Sequence, residues 1–501
     1  MQIRQIKKKE YILILIFIVG LIIRIWPLFT FGGNAGIDSD IHISIAKHIA
    51  ERGILESIFY PVEESSSFVN FGTLYKHPTF QLYPPLFHAI IALFGTVIGF
   101  ALSAKIISSF FGALIVIPVY LIGKKWYNED VGLIAAFLST TAPDHVYYTA
   151  TRVHPQSLGI LLFSFSILIF YKAIVEKNKM SIVASILILL ILILTYSPLA
   201  FWGMVIIILC VMLSDVKSLP KVFVIYTTTG FFSSFWLLKF LQHNPDVHFT
   251  FWWIKFWPPT NPLLTPFRVG IITVIASLYI MPLALKDLKQ KTWLFVWISV
   301  FLILSFFMVT EPTPPSRYLT HLSIPLSILG GYGIWKFVNN NELTVKKLIN
   351  SQIGKISLIF LCFVIFIVPN IFLVNALLIN RDSVSPSSYE AYYWIADHVN
   401  EGEMILADAD DITYWYNPTN FLSRSKSEKI FASADINESL IKNRITYTYI
   451  QKPPNPFFTY TPQTFEPIVF DKNILGGFPV AFHNEDIIIY NTSILWNIPR
   501  A

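Results

Sequence analysis

Eleven apolar runs, most of them long enough to cross ~30 Å of hydrocarbon as helix, constrain this chain more than any other feature. They cover residues 11–31, 104–123, 130–142, 157–174, 181–195, 198–213, 221–241, 264–285, 292–309, 318–337 and 356–380. So many runs exclude a water-soluble globular core. Charged residues make up only 14% of the chain, against about one quarter in an ordinary soluble domain. The expected fold class is a polytopic α-helical membrane protein of about 11–13 transmembrane helices. The first run, 11–31, has no small-residue cleavage site and reads as a retained helix. The two cysteines, Cys210 and Cys362, both fall inside apolar runs, so neither a disulfide framework nor a zinc ligand set is visible.

The distribution of positive charge orients the runs. Segment 83–100, "YPPLFHAIIALFGTVIGF", is long enough to cross, but counting it as a span reverses every later helix. With 83–100 kept at the outer side, segments 1–10, 124–129, 172–180, 214–221, 286–291 and 336–355 are inside and carry 18 Lys/Arg in 59 residues. The outer segments 32–103, 143–155, 196–197, 242–263 and 310–317 carry 6 in 117. This bias sets the N-terminus inside and the C-terminus outside, and makes 83–100 an interfacial or re-entrant helix. It also accounts for the net charge of +6 without a nucleic-acid partner.

Residues 381–501 differ in kind. Their apolar runs shorten to strand length in "MILA" (404–407), "ITYTYI" (445–450) and "IIIY" (487–490). Ser387 and Glu390 form a capping box before "YEAYYWIADHV". The expectation is a membrane domain over 1–380, with a large external loop 32–103, followed by an extracytoplasmic α/β domain. Two glycosylation-type triplets, at Asn437 and Asn491, suit that face.

On this topology the polar groups gather on the outer face. Asp38, Asp40 and His42 lie in the first loop, and Arg152 and His154 in the second. His243, His248 and the aromatic run 249–259 lie in a later loop, and Glu311 and Arg317 in the last. Arg24 is the main charge at mid-span and is expected to pair or to face the bundle interior. Each feature has a plainer reading. Asp38 suits an N-cap for a helix starting near Ile41, His145 and His154 suit hydrogen-bonded loop positions, the aromatics an interfacial belt, and Arg317 a snorkelling anchor. Asp408, Asp410 and Asp411 lack the glycine and distal glutamate of an EF-hand and read as a turn. The combination points further. A carboxylate beside the outer leaflet can take a proton from an acceptor hydroxyl or hold a divalent cation. An arginine on the same face can hold a phosphate. Together they suit cleavage of a lipid-phosphate-linked sugar, with segment 83–100 as a roof past which a polyprenyl chain enters.

These stretches resemble the membrane-embedded GT-C glycosyltransferases, loosely over nearly the whole chain. "GIDSDIHISIAKHIAERG" is similar to their first-loop motif, with Asp38 and His42 at its positions and Asp40 as an additional acid. "YPPLFHAIIALFG", "TAPDHVYYTATRVHPQSLGILL" and "PSRYLTHLSIPLSILGG" resemble later segments, and "AYYWIADHVNEGEMILAD" the start of the outer domain in the oligosaccharyltransferase catalytic-subunit branch. The resemblance implies a transferase using a polyprenyl- or dolichyl-phosphate-linked sugar. It makes Asp38 and Asp40 catalytic, or ligands of a divalent cation (Mn or Mg). It places Arg317 near the donor phosphate, Glu311 toward the acceptor, and His42, Arg152 and His154 in the substrate site. Two motifs of oligosaccharyltransferases are replaced. The second-loop acids give way to "RVHPQ" (152–156), and the sequon-gripping W-W-D-Y-G to "DADDITYWYNP" (408–418). A hydroxyl acceptor therefore fits better than asparagine, which is the first alternative. A transporter or flippase of lipid-linked saccharide is the second, against which stand the missing internal repeats and the scarcity of mid-span charge.

Overall fold

The computed structural model describes residues 2–27, 37–53, 84–150, 153–243, 262–286, 288–306 and 315–340, and, in the C-terminal part, 390–391, 394–395, 397–400, 403–407, 429–430, 433, 435–451, 478–483 and 487–493. The chain divides into two compact units, one holding the long helices and the other the strands.

The first unit is wholly helical. Its elements are α1 (Gln2–Ile25), α2 (Ile37–Arg52), α3 (Leu86–Ile98), α4 (Phe100–Leu114), α5 (Val116–Trp126), α6 (Glu129–Thr140), α7 (Pro143–Ala150), α8 (Gln156–Ile174), α9 (Lys179–Ile193), α10 (Ser197–Ser214), α11 (Leu219–His243), α12 (Thr265–Val269), α13 (Ile271–Lys286), α14 (Leu288–Phe306) and α15 (Pro315–Asn340). By length and composition, the continuous helix Phe100–Trp126, α8 and α10 are long and apolar enough to cross a membrane, and α3, α9, α13 and Lys291–Phe306 are shorter apolar helices. The run at 356–380 lies outside the described residues.

α3 has 13 residues, roughly 20 Å of helix, and is one of the shorter apolar helices. A single residue, Gly99 at φ +85°, turns the chain from α3 into α4, a backbone region that glycine enters freely. Phe100 then packs against Gly95, where a Cβ would meet the ring at 2.5 Å. The start of α3 is tied to the turn after α9 by the Leu86 amide, which donates to the Leu194 carbonyl at 3.0 Å. The face of α3 away from the bundle is apolar, with Val97 81% exposed.

Small residues let the helices close on one another. A Cβ on Gly123 of α5 would lie 2.8 Å from the Cα of Gly132 on α6, so these two backbones touch. The large side chains fill the centre, where Trp297 and Phe301 of α14 stand edge-on to Phe163 of α8 at 5.4 and 5.7 Å. At one end of the bundle, Lys9 of α1 pairs with Asp130 at 2.8 Å, Lys124 with Glu129 at 2.9 Å, and Lys125 with Glu176. Lys291 lies over the rings of Tyr127 and Tyr332 at 4.7 and 4.8 Å. Segments 1–10, 124–129, 172–180 and 286–291, grouped by charge bias in the sequence, thus meet at this end. Glu129 is held down to about 2 by its hydrogen bond from Lys124 and then by that from Tyr120.

The second unit contains a four-stranded sheet of β1 (Met404–Ala407), β2 (Ile445–Gln451), β3 (Val480–His483) and β4 (Ile487–Asn491) in the order β1-β2-β4-β3. β1 and β2 are parallel, and the remaining neighbours antiparallel. The connection between the parallel strands carries helix α16 (Ile436–Lys442), capped by Asp435, whose carboxylate accepts from the Glu438 amide at 2.9 Å. Adjacent residues of β1 serve opposite faces: Ile405 packs with Ala391, Ile395 and Ile489, and Leu406 with Ile436, Leu440 and Ile450. The three strands anticipated from the sequence are present, and β3 is added.

Candidate active site

α2 begins at Ile37, four residues earlier than the capping reading of Asp38 requires. Asp38 and Asp40 therefore stand in the first turn, where carboxylates complement the helix dipole. Their carboxylates, together with Arg152, His248, Glu311, the aromatic run 249–259 and Asp408 to Asp411, lie outside what is described. His42 follows Asp38 by four residues on the same helix face. It is wholly buried. Ser39 anchors α2 to the segment before α8, its hydroxyl accepting from the Val153 amide at 2.9 Å.

His42, His154 and Arg317, which stand far apart in the chain, come together. The rings of His42 and His154 meet edge-on at 5.2 Å. Nη1 of Arg317, near the start of α15, lies 3.1 Å from Nε2 of His154. Tyr196, from the turn before α10, closes on the other side of His154 at 5.7 Å.

Two hydrogen-bond patterns fix the chemistry of these rings. His88 of α3 has Nδ1 3.1 Å from the Pro84 carbonyl, an acceptor only, so Nδ1 carries the proton. The Nε2 of neutral His88 then accepts from Nδ1 of His42 at 2.9 Å, which leaves a lone pair on Nε2 of a neutral His42. That is the form in which an imidazole accepts a hydroxyl proton or ligates a cation. His154 is held differently. Its Nδ1 receives the Gln156 amide at 3.1 Å, while its Nε2 faces a guanidinium that can only donate. A neutral imidazole cannot accept at both nitrogens. With Nδ1 taken by the backbone, Nε2 keeps its proton, and two N–H groups face each other.

His88 went unremarked in the sequence, where it sits in an apolar segment; a lone imidazole in such a run was the available signal. Its contact gives a prediction. His88→Leu removes the acceptor that holds the His42 tautomer and, on the transferase reading that the sequence resemblance implies, lowers the rate by about 10- to 100-fold. His88→Gln, which keeps an acceptor oxygen, retains most of the rate. Initial rates of the purified variants check this, and equal rates for both variants would sink the role.

A second polar cluster braces the site. Arg24 is wholly buried, as its mid-span position required. It donates to the Thr149 hydroxyl at 2.8 Å, to the Gly20 and Thr140 carbonyls at 2.9 and 3.1 Å, and to Nδ1 of His145 at 2.8 Å. Asp144, beside His145 on α7, is held by Nε and Nη2 of Arg268 at 2.9 and 2.8 Å. α7 occupies most of the segment 143–155, and these two arginines hold Asp144, His145 and Thr149 on it. Arg24 and Arg268 thus position the chain that leads to His154.

A divalent cation would find its ligands on α2: the lone pair of His42, with Asp38 and Asp40 on the same helix, has the donor chemistry that fits one. Among the described residues there is no group of three or more His, Cys, Asp or Glu side chains able to hold a metal.

No protein-family model matches the chain. It is 28% identical over 145 residues to dolichyl-phosphooligosaccharide-protein glycotransferase 1 of Pyrococcus furiosus, a match covering 28% of this chain and 14% of that protein. The chain therefore spans a small part of the length of that curated relative. Its fold is similar to that of the Archaeoglobus fulgidus oligosaccharyltransferase in the apo form, with a TM-score of 0.61 at 11% identity over 88% of this chain and 69% of that one. It is likewise similar to ArnT from Cupriavidus metallidurans bound to undecaprenyl phosphate, with a TM-score of 0.59 at 11% identity over 99% of both chains. The Archaeoglobus protein has also been solved with dolichol-phosphate and an inhibitory peptide, and with Zn and sulfate. The chain thus shares its fold with the Archaeoglobus oligosaccharyltransferase and with ArnT.

Proposed function

We propose that the chain transfers a sugar from a polyprenyl-phosphate-linked donor to an acceptor hydroxyl at the extracytoplasmic face of the membrane. The observation that carries this reading is the approach of Arg317 Nη1 to His154 Nε2 at 3.1 Å. A guanidinium and an imidazole N–H side by side offer a positive charge and two donors, a pairing suited to a phosphodiester oxygen. The fold's likeness to a protein solved with undecaprenyl phosphate and to another solved with dolichol-phosphate supports the same ligand class. On this reading residues 1–380 form the membrane domain and 381–501 the outer domain, and the lysine-rich end of the bundle faces the cytoplasm.

The bond changes follow from these assignments. The acceptor oxygen attacks the anomeric carbon and gives its proton to the carboxylate of Asp38, with Asp40 beside it. The carbon–oxygen bond to phosphate breaks, and its electron pair stays on the phosphate oxygen. Arg317 and the Nε2 proton of His154 stabilise that growing charge. Arg152 and Glu311 are assigned to substrate contact by sequence position. A bound Mn or Mg, held by Asp38, Asp40 and His42, would polarise the acceptor.

Single-turnover transfer from a polyprenyl-phosphate-linked sugar by purified protein tests the reading. Asp38→Asn or Asp40→Asn lowers the rate by at least ~10²-fold, the range for losing a general base. If both variants match the parent, the assignment is wrong. The Pyrococcus relative is named for oligosaccharide transfer to protein and the Archaeoglobus protein has been solved with an NVT-sequon acceptor peptide, which favours asparagine-linked transfer as the second reading. That reading requires glycosylation of an Asn-x-Thr peptide in the presence of Mn or Mg.

A further inference from the structure

On the two segments that carry the Arg317–His154 pair stand three buried side chains with polar atoms that have no hydrogen-bond partner among the described residues. Gln156, the first residue of α8, is wholly buried, and neither its amide oxygen nor its amide nitrogen has a partner. Thr320 and His321 lie one turn beyond Arg317 on α15 and are equally buried; the Thr320 hydroxyl and the Nδ1 of His321 are unbonded. The two groups adjoin through the pair itself, since the Gln156 backbone amide binds His154 and His154 faces Arg317.

A buried amide without partners costs stability that an apolar side chain of the same size does not. Gln156, Thr320 and Nδ1 of His321 all carry this cost, on residues that flank the groups assigned to phosphate in sequence. Their chemistry specifies what would relieve it. The primary amide of Gln156 presents an acceptor and donors in one plane, which matches neighbouring hydroxyls that each donate and accept. Thr320 adds a hydroxyl of the same dual character. Neither supplies a charge to balance an ammonium or a carboxylate.

We propose that Gln156, Thr320 and His321 form the subsite for a neutral, hydroxyl-bearing sugar ring carried by the lipid phosphate. This rests on the reading of Arg317 and His154 as the holders of that phosphate. The hydroxyls of the ring take up the unpaired groups. Gln156 and Thr320 thereby select neutral sugars over charged ones.

The test separates sugar from phosphate and function from fold. Gln156→Met, and independently Thr320→Val, are purified as full chains. Thermal unfolding is measured without ligand, and binding is measured to polyprenyl phosphate and to the same lipid phosphate bearing glucose or mannose, whichever the parent prefers. The expected result for Gln156→Met is an unfolding temperature equal to or above the parent's. Affinity for the sugar-bearing lipid falls by about 10-fold, the scale of one buried hydrogen bond, and affinity for the sugar-free lipid is unchanged. Variants that melt lower yet bind both lipids as the parent does overturn the subsite and leave a structural role. Equal loss of both lipids moves Gln156 into the phosphate site and likewise overturns it. A parent that binds neither lipid overturns the phosphate reading beneath it.

Discussion

Replacing Arg317 with glutamine lowers single-turnover transfer from a polyprenyl-phosphate-linked sugar by about 10²- to 10³-fold, the loss that follows removal of one donor from a developing oxyanion. The size of the effect follows from where the charge appears. In the bound donor the phosphodiester carries one negative charge spread over two oxygens. As the sugar leaves, the bridging oxygen gains a second. Arg317 is partly buried and contacts a buried histidine, so the field of its guanidinium is less screened on that side than in bulk water. Glutamine keeps an amide donor but is two heavy atoms shorter, so the variant removes both the charge and the reach to His154. Arg317→Lys restores the charge without the planar fork and recovers only part of the rate. His154→Ala costs less, about 10-fold, because it removes a neutral donor. Since both donors act on one oxyanion, the double substitution costs less than the product of the single effects. A rate for Arg317→Gln within twofold of the parent, with folding intact, removes phosphate from this position.

The fold class was legible because lipid imposes a length on every apolar run, and the number of such runs left no soluble alternative. The convergence at the candidate site was legible in part, for a related reason. In a chain so poor in charge, His42, His154 and Arg317 stand out as interruptions, and all three converge. His88 did not stand out, because its partners, a backbone carbonyl and a second imidazole, leave no trace in the pattern of neighbouring residues. α7 was hidden by its composition. "PDHVYYTA" reads as an exposed loop, yet Asp144 and His145 are buried against arginines contributed by α12 and α1, from 124 and 121 residues away. Nothing in the local sequence announces such partners. The ends of the helices drifted for the opposite reason. The apolar pattern marks where lipid begins, whereas α11 and α15 continue as helix to His243 and Asn340, past the last apolar residue.

The seating of α15, which carries Arg317, depends on glycines where no other residue fits, and Gly333→Ala is expected to destabilise the protein by about 3 kcal/mol, at the upper end for overpacking. A Cβ on Gly333 would collide with the backbone carbonyl of Ala276 on α13. One on Gly331 would lie 3.0 Å from the Ala135 nitrogen on α6, and one on Gly330 3.0 Å from the Thr273 carbonyl oxygen. Backbone atoms cannot rotate aside as a side chain can, so α15 has to move away from α13. Arg317 shifts with it, and transfer falls along with the unfolding temperature. Ala276→Gly gives no rescue, because the collision is with the carbonyl and not the methyl group. Gly230→Ala provides the contrast. Its added Cβ meets nothing within 4 Å, and α11 gains helix propensity worth up to ~1 kcal/mol. The same one-carbon addition therefore acts with opposite signs at two helical positions. Thermal unfolding of both variants in one detergent decides the matter. Shifts of the same sign and size would mean that α15 is not held by backbone contact at Gly333.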